Sequence, residues 1–168
     1  HSPSVTQEFT EDNPRILLRI TFDKKGFCNA CQWVVEKKKI NWSKRQSTLK
    51  KIFSKKKNDY DCIVPVSGGK DGSYVAYNLK HKYGMNPLCL TITPALALEL
   101  GEQNLKAFVA SGYNHITINP AYEAMRALNC AGLIEMGFPY YGWLIAIQTG
   151  VIRMANQLGL GLIFYGED

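Results

Sequence analysis

Short apolar runs alternate with longer amphipathic stretches from residue 62 to the end of the chain. The short runs predict strands, whereas the stretches with apolar residues three and four positions apart predict helices. Predicted strands cover 62–66, 87–93, 115–118 and 160–165, and predicted helices cover 73–83, 100–111, 120–129 and 139–158. Helical connections between successive strands predict an α/β fold, in which a parallel sheet carries helices on both faces.

Glycine and proline positions support these helix boundaries. Gly84, Gly112 and Gly159 follow three of the predicted helices, where a residue without a Cβ ends a helix easily. Pro120 suits the first turn of the helix over 120–129, because that position needs no N–H donor.

The front of the chain has a looser pattern. Residues 16–22 predict a short strand, and 23–26 predict a turn. Residues 33–57 predict one or two helices interrupted near 41–43, with Ser43 as the N-cap of the second helix. We therefore expect a small helical segment over 1–57, followed by the α/β domain over 58–168.

Positive charge is concentrated in the front segment. Residues 1–57 carry 14 Lys and Arg against 5 Asp and Glu, a net +9, whereas residues 58–168 carry 6 against 9, a net −3. Such a segment binds nucleic acid or an acidic partner, or it is a solvated helix face. The solvated face is the simpler interpretation, so we do not expect a nucleic-acid partner.

Length and composition narrow the class of protein. A chain of 168 residues can bury one core. Its longest apolar stretch, 138–152, is shorter than the roughly 20 residues that cross a bilayer. Five cysteines, an odd number, favour reduced thiols and a cytoplasmic location. Because the chain begins with His1 and ends directly after a predicted strand, we interpret it as a fragment of a longer protein.

One segment carries most of the functional information. It reads Ser67-Gly-Gly-Lys-Asp-Gly-Ser73 and connects the first predicted strand to the next helix. Glycines let backbone N–H groups converge on an oxyanion, and a helix N-terminus adds unpaired donors and about half a positive charge. The spacing fits neither a Walker A loop nor a dinucleotide fingerprint. We predict a phosphate-binding loop, and we expect 91–94 and 166–168 to converge with it at the ends of their strands.

Further motifs extend beyond this loop. They are Ile20-Thr-Phe-Asp23, Gly26-Phe-Cys-Asn-Ala-Cys31, Pro65-Val-Ser-Gly-Gly-Lys-Asp-Gly72, Lys82-Tyr-Gly-Met-Asn-Pro87, Pro139-Tyr-Tyr-Gly-Trp143 and Phe164-Tyr-Gly-Glu-Asp168. The loop resembles the PP-loop of the ATP pyrophosphatases, and the whole set, from about residue 14 onward, resembles the N-acetyl sugar amidotransferases. The resemblance implies a PP-loop fold and an ATP-dependent ligase. Such an enzyme adenylates the acetamido group of a nucleotide-linked N-acetyl sugar and replaces its oxygen with ammonia, for O-antigen or lipopolysaccharide synthesis.

The resemblance also implies roles for the residues of the loop. The phosphate-binding groups would be two hydroxyls and three backbone N–H groups, from Ser67, Ser73, Gly68, Gly69 and Gly72. Lys70 and Asp71 are the predicted catalytic residues. Lys70 either adds a positive charge or faces solvent, and Asp71 either binds Mg²⁺ or caps the helix.

Residues at other strand ends complete the predicted site. Thr91 or Thr93 lies where this fold recognises the nucleoside of ATP. Glu167 and Asp168 either bind Mg²⁺ or the sugar, or form an ordinary polar strand exit, and Gly166 and Glu167 are predicted to take part in cofactor binding. The aromatic run 140–143 either stacks on the sugar or belongs to the core.

Two features depart from the family pattern. The commoner PP-loop has Ser directly after Asp, whereas Gly72 intervenes here before Ser73. Relatives usually carry a second Cys-x-x-Cys that completes a zinc site, but residues 2–12 contain no cysteine. Cys28 and Cys31 alone cannot close a tetrahedral site. Weak zinc binding, pairing across a dimer and no role all stay open for this pair.

The source of ammonia and the class of substrate are open to more than one hypothesis. No cysteine nucleophile with a suitable histidine partner is evident, since His1, His81 and His115 are isolated in the sequence. Ammonia is therefore expected from a separate glutaminase subunit, as in relatives of this family. Two alternatives are a tRNA-thiolating PP-loop enzyme, whose basic segment contacts phosphates, and an inactive nucleotide-binding module.

Overall fold

The structure is a computed structural model that describes residues 20–54 and 59–166. The described residues fall into two compact units, 20–49 and 50–166 without the undescribed residues 55–58. The boundary that the sequence predicts, between residues 57 and 58, stays a prediction. Among the described helices, none is long and apolar enough to cross a membrane.

The described part of the first unit begins with a turn. The carboxylate of Asp23 accepts hydrogen bonds from the N–H groups of Lys25 and Phe27, at 2.8 and 2.9 Å. Gly26 has φ +80° within this turn, which confirms the predicted turn over 23–26. Of the predicted strand over 16–22, Phe22 forms one antiparallel bridge with Cys28, while 16–19 lie outside the described residues.

Two helices follow the turn, α1 over Asn29–Lys39 and α2 over Trp42–Phe53. The predicted interruption near 41–43 is confirmed, but the predicted cap is wrong. Asn41 accepts a hydrogen bond on its side-chain oxygen from the N–H of Lys44, at 2.9 Å. Ser43 lies within the first turn of α2, so an asparagine two residues earlier satisfies the free donor.

The second unit is built on three parallel strands in the order β1-β2-β3. These strands are β1 over Cys62–Pro65, β2 over Pro87–Ile92 and β3 over Asn114–Ile118. The predicted strands at 62–66, 87–93 and 115–118 are thus confirmed to within one residue at each end. The predicted α/β class, with a parallel sheet, is confirmed as well.

The predicted strand over 160–165 is reduced to a single parallel bridge between Ile63 and Ile163. Ile63 donates its N–H to the Leu162 carbonyl at 3.0 Å and accepts from the N–H of Phe164 at 2.9 Å. The next donor on this side of β1 would be Pro65, which has no N–H. A proline in β1 therefore prevents the ladder from extending, and the prediction of a full strand here is wrong.

Helices connect the strands. They are α3 over Lys70–Tyr77, continued by a π-helical turn over Asn78–Lys82, then α4 over Glu99–Ala110, α5 over Tyr122–Met136 and α6 over Tyr141–Gln157. Helix α3 begins three residues before the predicted start. Helix α5 begins two residues after Pro120, because the backbone of Ala121, with φ −59° and ψ 123°, is not helical. The predicted place of Pro120 in the first helical turn is wrong.

The sheet is covered on both faces. Ile63 and Leu90 form a core with Val151 and Ala155 of α6. Side chains alternate between the two faces along a strand, so Val66, three residues after Ile63 and directly after β1, points to the opposite face. A Cβ on Gly72 of α3 would lie 3.4 Å from the Val66 side chain. Helices α3 and α6 therefore lie on opposite faces, as the sequence predicts.

Candidate functional site

The loop between β1 and α3 begins in the sheet. Val66 donates its N–H to the Leu90 carbonyl at 2.9 Å, which fixes the chain immediately before Ser67. Gly68 follows with φ +80°, a conformation that favours glycine. A Cβ on Gly68 would overlap the carbonyl oxygen of Gly101. The fold of this unit therefore requires glycine at position 68, where the loop passes against the first turn of α4.

Gly69 has a different reason to be glycine. It is the N-cap of α3 with φ −81° and ψ 167°, angles that any residue adopts. A Cβ here would meet only the Ser67 hydroxyl oxygen, at 3.5 Å. Gly69 lines a small cavity of about 170 Å³. The space that a side chain would take at position 69 is thus open to the cavity. Packing within the fold does not require glycine at this position.

The N-terminus of α3 has free hydrogen-bonding capacity. The first N–H groups of a helix have no acceptor within the helix, and Gly69 offers no side chain to cap them. The helix dipole adds positive potential at this end. An oxyanion held beside Gly69 would satisfy both the unpaired donors and the dipole.

Backbone packing also brings residue 166 to the loop. A Cβ on Gly166 would lie 2.6 Å from the backbone of both Asp71 and Gly72. A Cβ on Gly72 would lie 2.5 Å from the Pro65 carbonyl oxygen. The backbone at Pro65, at 71–72 and at Gly166 thus comes together too closely for a side chain on Gly72 or Gly166. Glu167 and Asp168, which were predicted to bind Mg²⁺ or sugar, lie outside the described residues.

The structure gathers part of the predicted loop set around the small cavity. Its lining includes five of the predicted site residues, Ser67, Gly69, Asp71, Gly72 and Gly166. Lys70 is exposed and is not one of the residues that line this cavity. Ser73 donates its hydroxyl proton to the Gly69 carbonyl at 2.8 Å and lines a different surface depression.

A second and larger cavity of about 850 Å³ adjoins the first. Ser67 and Trp143 belong to the linings of both cavities. The indole of Trp143 donates its N–H to the Ile92 carbonyl at 3.1 Å, so the end of β2 holds this shared wall in place. The predicted nucleoside residues, Thr91 and Thr93, line the larger cavity.

Thr91 connects the larger cavity to the loop. Its buried hydroxyl donates to the Val66 carbonyl at 2.7 Å and lies 2.8 Å from Nε2 of His115. Thr93 donates instead to the side-chain oxygen of Asn119. The Thr91 hydroxyl therefore holds the backbone immediately before Ser67 and is already hydrogen-bonded to Val66 and His115.

His115 is a site residue that sequence reasoning missed. It lines the larger cavity, and burial lowers the pKa of its imidazole below the ordinary value of 6.5. One signal could have found it. His115 and Thr117 occupy alternate positions of β3, on the face that carries Thr91 in the paired strand.

The cysteine pair is a separate feature of the first unit. Sγ of Cys28 lies 3.5 Å from Sγ of Cys31 and accepts the N–H of Cys31 at the same distance. This N–H lowers the pKa of Cys28, and the hydrogen bond with Cys28 raises the pKa of Cys31. Both thiols are free. Among the described residues, no group of three metal-binding side chains forms, so these two alone do not fit a closed zinc site.

Magnesium places a smaller demand on the protein. The ion commonly uses one or two carboxylates together with phosphate oxygens and water. Asp71 supplies a carboxylate at the lining of the small cavity. This residue fits a magnesium ion that is carried in by a bound triphosphate.

No protein-family model matches the chain, and no curated protein matches it either. A solved structure of a predicted subunit of tRNA methyltransferase from Methanocaldococcus jannaschii is similar, with 26% identity and a TM-score of 0.47. The match covers 64% of this chain and 53% of that one, so the chain spans about half the length of that protein.

Proposed function

We propose that this chain is the ATP-binding part of an amidotransferase that converts the acetamido group of an N-acetyl sugar into an acetamidino group. The observation that carries the proposal is the open space at Gly69, at the uncapped N-terminus of α3. The fold does not explain glycine there, whereas a bound phosphate would. The resemblance of its motifs to those of the N-acetyl sugar amidotransferases supports the choice of reaction.

The small cavity is suited to the pyrophosphate end of ATP. The backbone N–H groups of Gly69 and of the first turn of α3 would donate to phosphate oxygens, together with the hydroxyl of Ser67. Asp71 would hold Mg²⁺, which neutralises phosphate charge when it is bound. The nucleoside would extend toward Thr93 at the end of β2.

The chemistry needs positioning more than covalent help from the protein. The acetamido oxygen attacks the α-phosphorus of ATP, and pyrophosphate leaves with the electron pair of the broken P–O bond. Ammonia then adds to the activated carbon, and AMP departs to leave the acetamidino group. Preorganised N–H donors at the loop stabilise the charge that develops on the leaving pyrophosphate.

Ammonia would come from a separate glutaminase subunit, since the sequence offers no evident nucleophile and base of its own. The five cysteines are free thiols, which suits an enzyme of the reducing cytoplasm. The product would serve O-antigen, lipopolysaccharide or related glycan synthesis.

Pyrophosphate release tests this function. Protein is supplied with ATP, Mg²⁺, ammonium chloride and a panel of UDP-linked 2-acetamido sugars, and AMP and pyrophosphate are measured. Release that depends on both sugar and ammonia supports the proposal. ATP binding without release would instead support the hypothesis of an inactive nucleotide-binding module.

A tRNA-thiolating PP-loop enzyme is a second candidate. One observation favours it: within the first unit, the basic side chains of residues 20–49 are all exposed, namely Lys24, Lys25, Lys37, Lys38, Lys39, Lys44 and Arg45. Such a surface suits a phosphate backbone. Filter binding of tRNA at two salt concentrations separates the candidates, since tight and salt-sensitive binding would favour the thiolase.

A further inference from the structure

The hydrogen bonds of Thr91 fix the protonation pattern of His115. A threonine hydroxyl has one proton, and Thr91 donates it to the Val66 carbonyl at 2.7 Å. Nε2 of His115 lies 2.8 Å from the same hydroxyl oxygen. That oxygen can only accept from His115, so Nε2 must carry a proton. In the neutral imidazole, Nδ1 is therefore the nitrogen with a free lone pair.

His115 lies at a cavity where a basic lone pair could act on a bound substrate. His115 lines the cavity of about 850 Å³, a volume within the range of small-molecule sites. The cavity reaches Ser67 of the loop and Trp143, whose indole also borders the small cavity. Aromatic and hydroxyl groups on one lining suit a sugar, which has both apolar faces and polar edges.

Other titratable groups face the same cavity. Glu102 and Lys106 come from α4, and Tyr140 lies at the start of α6. The imidazole of His115 is the side chain on this lining whose type ordinarily changes charge between about pH 5 and 8. His115 is also the one whose partner, Thr91, is hydrogen-bonded directly to the strand that leads into the loop.

We propose that Nδ1 of His115 is the base that takes the amide proton of the acetamido group as its oxygen attacks ATP. This inference rests on the proposed function. The N–H bond breaks and its proton passes to Nδ1. The electron pair left on nitrogen forms a C=N bond, and the carbonyl π electrons form the new bond from oxygen to the α-phosphorus. Pyrophosphate leaves with the electrons of the broken P–O bond, and His115 later returns its proton to water.

Substitution His115→Gln tests this role while it preserves the local structure. A glutamine amide can still donate to the Thr91 hydroxyl, but it has no basic lone pair. We expect pyrophosphate release to fall at least about 100-fold, which is the low end for a general base. Binding of a nonhydrolysable ATP analogue should be unchanged. His81→Gln is the matched control, because His81 lies on a separate surface depression, and it should keep wild-type activity.

Three measurements distinguish a base from a structural residue. In His115→Ala, added imidazole should restore pyrophosphate release in proportion to its concentration. The wild-type rate should fall as the pH drops through the pKa of His115, which lies below 6.5, and His115→Gln should lack this acid limb. Nitrogen NMR of the wild type should show a protonated Nε2 and a bare Nδ1.

The role of His115 and the amidotransferase function are contradicted by different results. A His115→Gln enzyme that keeps activity within about threefold of wild type would overturn the role of His115 and leave the amidotransferase standing. A proton on Nδ1 in the neutral imidazole would overturn it without any activity measurement. A wild-type protein that releases no pyrophosphate with any sugar of the panel would contradict the proposed function, and the inference with it.

Discussion

Gly68 and Gly101 come together so closely that the carbonyl oxygen of Gly101 occupies the space where a Cβ on Gly68 would lie. Gly68 also has φ +80°. Gly68→Ala must therefore strain its backbone and push α4 away from the loop. We expect a loss of at least about 2 kcal/mol in the free energy of unfolding, measured by urea denaturation. An alanine variant as stable as wild type would show that the loop does not pack on α4 in this way.

Substitution of Gly69 should change ligand binding and leave stability almost unchanged. Its φ of −81° suits any residue, and the space beside it is open. Gly69→Asp should leave the free energy of unfolding within about 0.5 kcal/mol of wild type. A carboxylate next to a phosphate costs several kcal/mol, so calorimetry should show a loss of ATP affinity of more than about 100-fold.

A matched variant controls for added charge. Gly161 is exposed, and a Cβ there would meet nothing within 4 Å. Gly161→Asp should therefore bind ATP like wild type. Equal losses of affinity in both aspartate variants would mean that net charge, rather than the space at Gly69, governs binding.

Thr91 should matter for stability through its hydroxyl. Thr91→Val keeps the shape of this buried residue but leaves the Val66 carbonyl and Nε2 of His115 without their shared partner. Val66 is buried, whereas His115 is only partly buried, so the loss should come mainly from the Val66 carbonyl. An unpaired buried polar group costs about 1–3 kcal/mol, and we expect a loss of that size in chemical denaturation. Thr91→Ser keeps the hydroxyl and should lose less. A valine variant that equals or exceeds the serine variant in stability would count against the hydrogen bonds described here.

His115 should make stability depend on pH. Because burial lowers its pKa in the folded state, the unfolded chain binds a proton more readily. The stabilisation that neutral His115 contributes to the free energy of unfolding is fully present above its unfolded-state pKa of about 6.5. It is lost as the pH falls through the folded-state pKa of His115. Urea denaturation from about pH 7 to pH 5 should show this decline, and His115→Gln should show less of it. Identical pH profiles for the two proteins would remove His115 as the cause.

The cysteines should differ sharply in reactivity toward iodoacetamide. Burial raises the pKa of Cys62 and of Cys89 to about 12, and neither side chain is exposed. The N–H of Cys31 lowers the pKa of Cys28, which lies at the start of α1. Near neutral pH, mass spectrometry should find Cys28 alkylated first and both core cysteines unmodified. Early labelling of Cys62 or Cys89 would contradict their burial.

The sequence predicts the loop and its flanking elements well because their signals are local. An apolar run before Gly68 and an amphipathic stretch after Asp71 define β1 and α3 without knowledge of the rest of the chain. The helix nevertheless begins at Lys70 rather than Ser73, since an extended Gly69 already serves as its cap.

Other features depend on contacts between distant residues. The bridge at Ile163 stops where it does because Pro65 in another element lacks a donor, which no pattern within 160–165 reveals. His115 looks isolated in the sequence, and it joins the site only because β3 pairs beside β2 and brings it to Thr91. The sequence does not distinguish Asn41 from Ser43 as the cap of α2, because both residue types are good caps and only the backbone decides between them.

A crystal structure with a nonhydrolysable ATP analogue and Mg²⁺ tests the central claim most directly, namely that the loop over 67–72 binds the triphosphate. We predict phosphate oxygens within hydrogen-bonding distance of the Gly69 N–H and of the first turn of α3, and a magnesium ion at Asp71. A bound analogue whose phosphates lie elsewhere, with nothing at Gly69, would contradict the account.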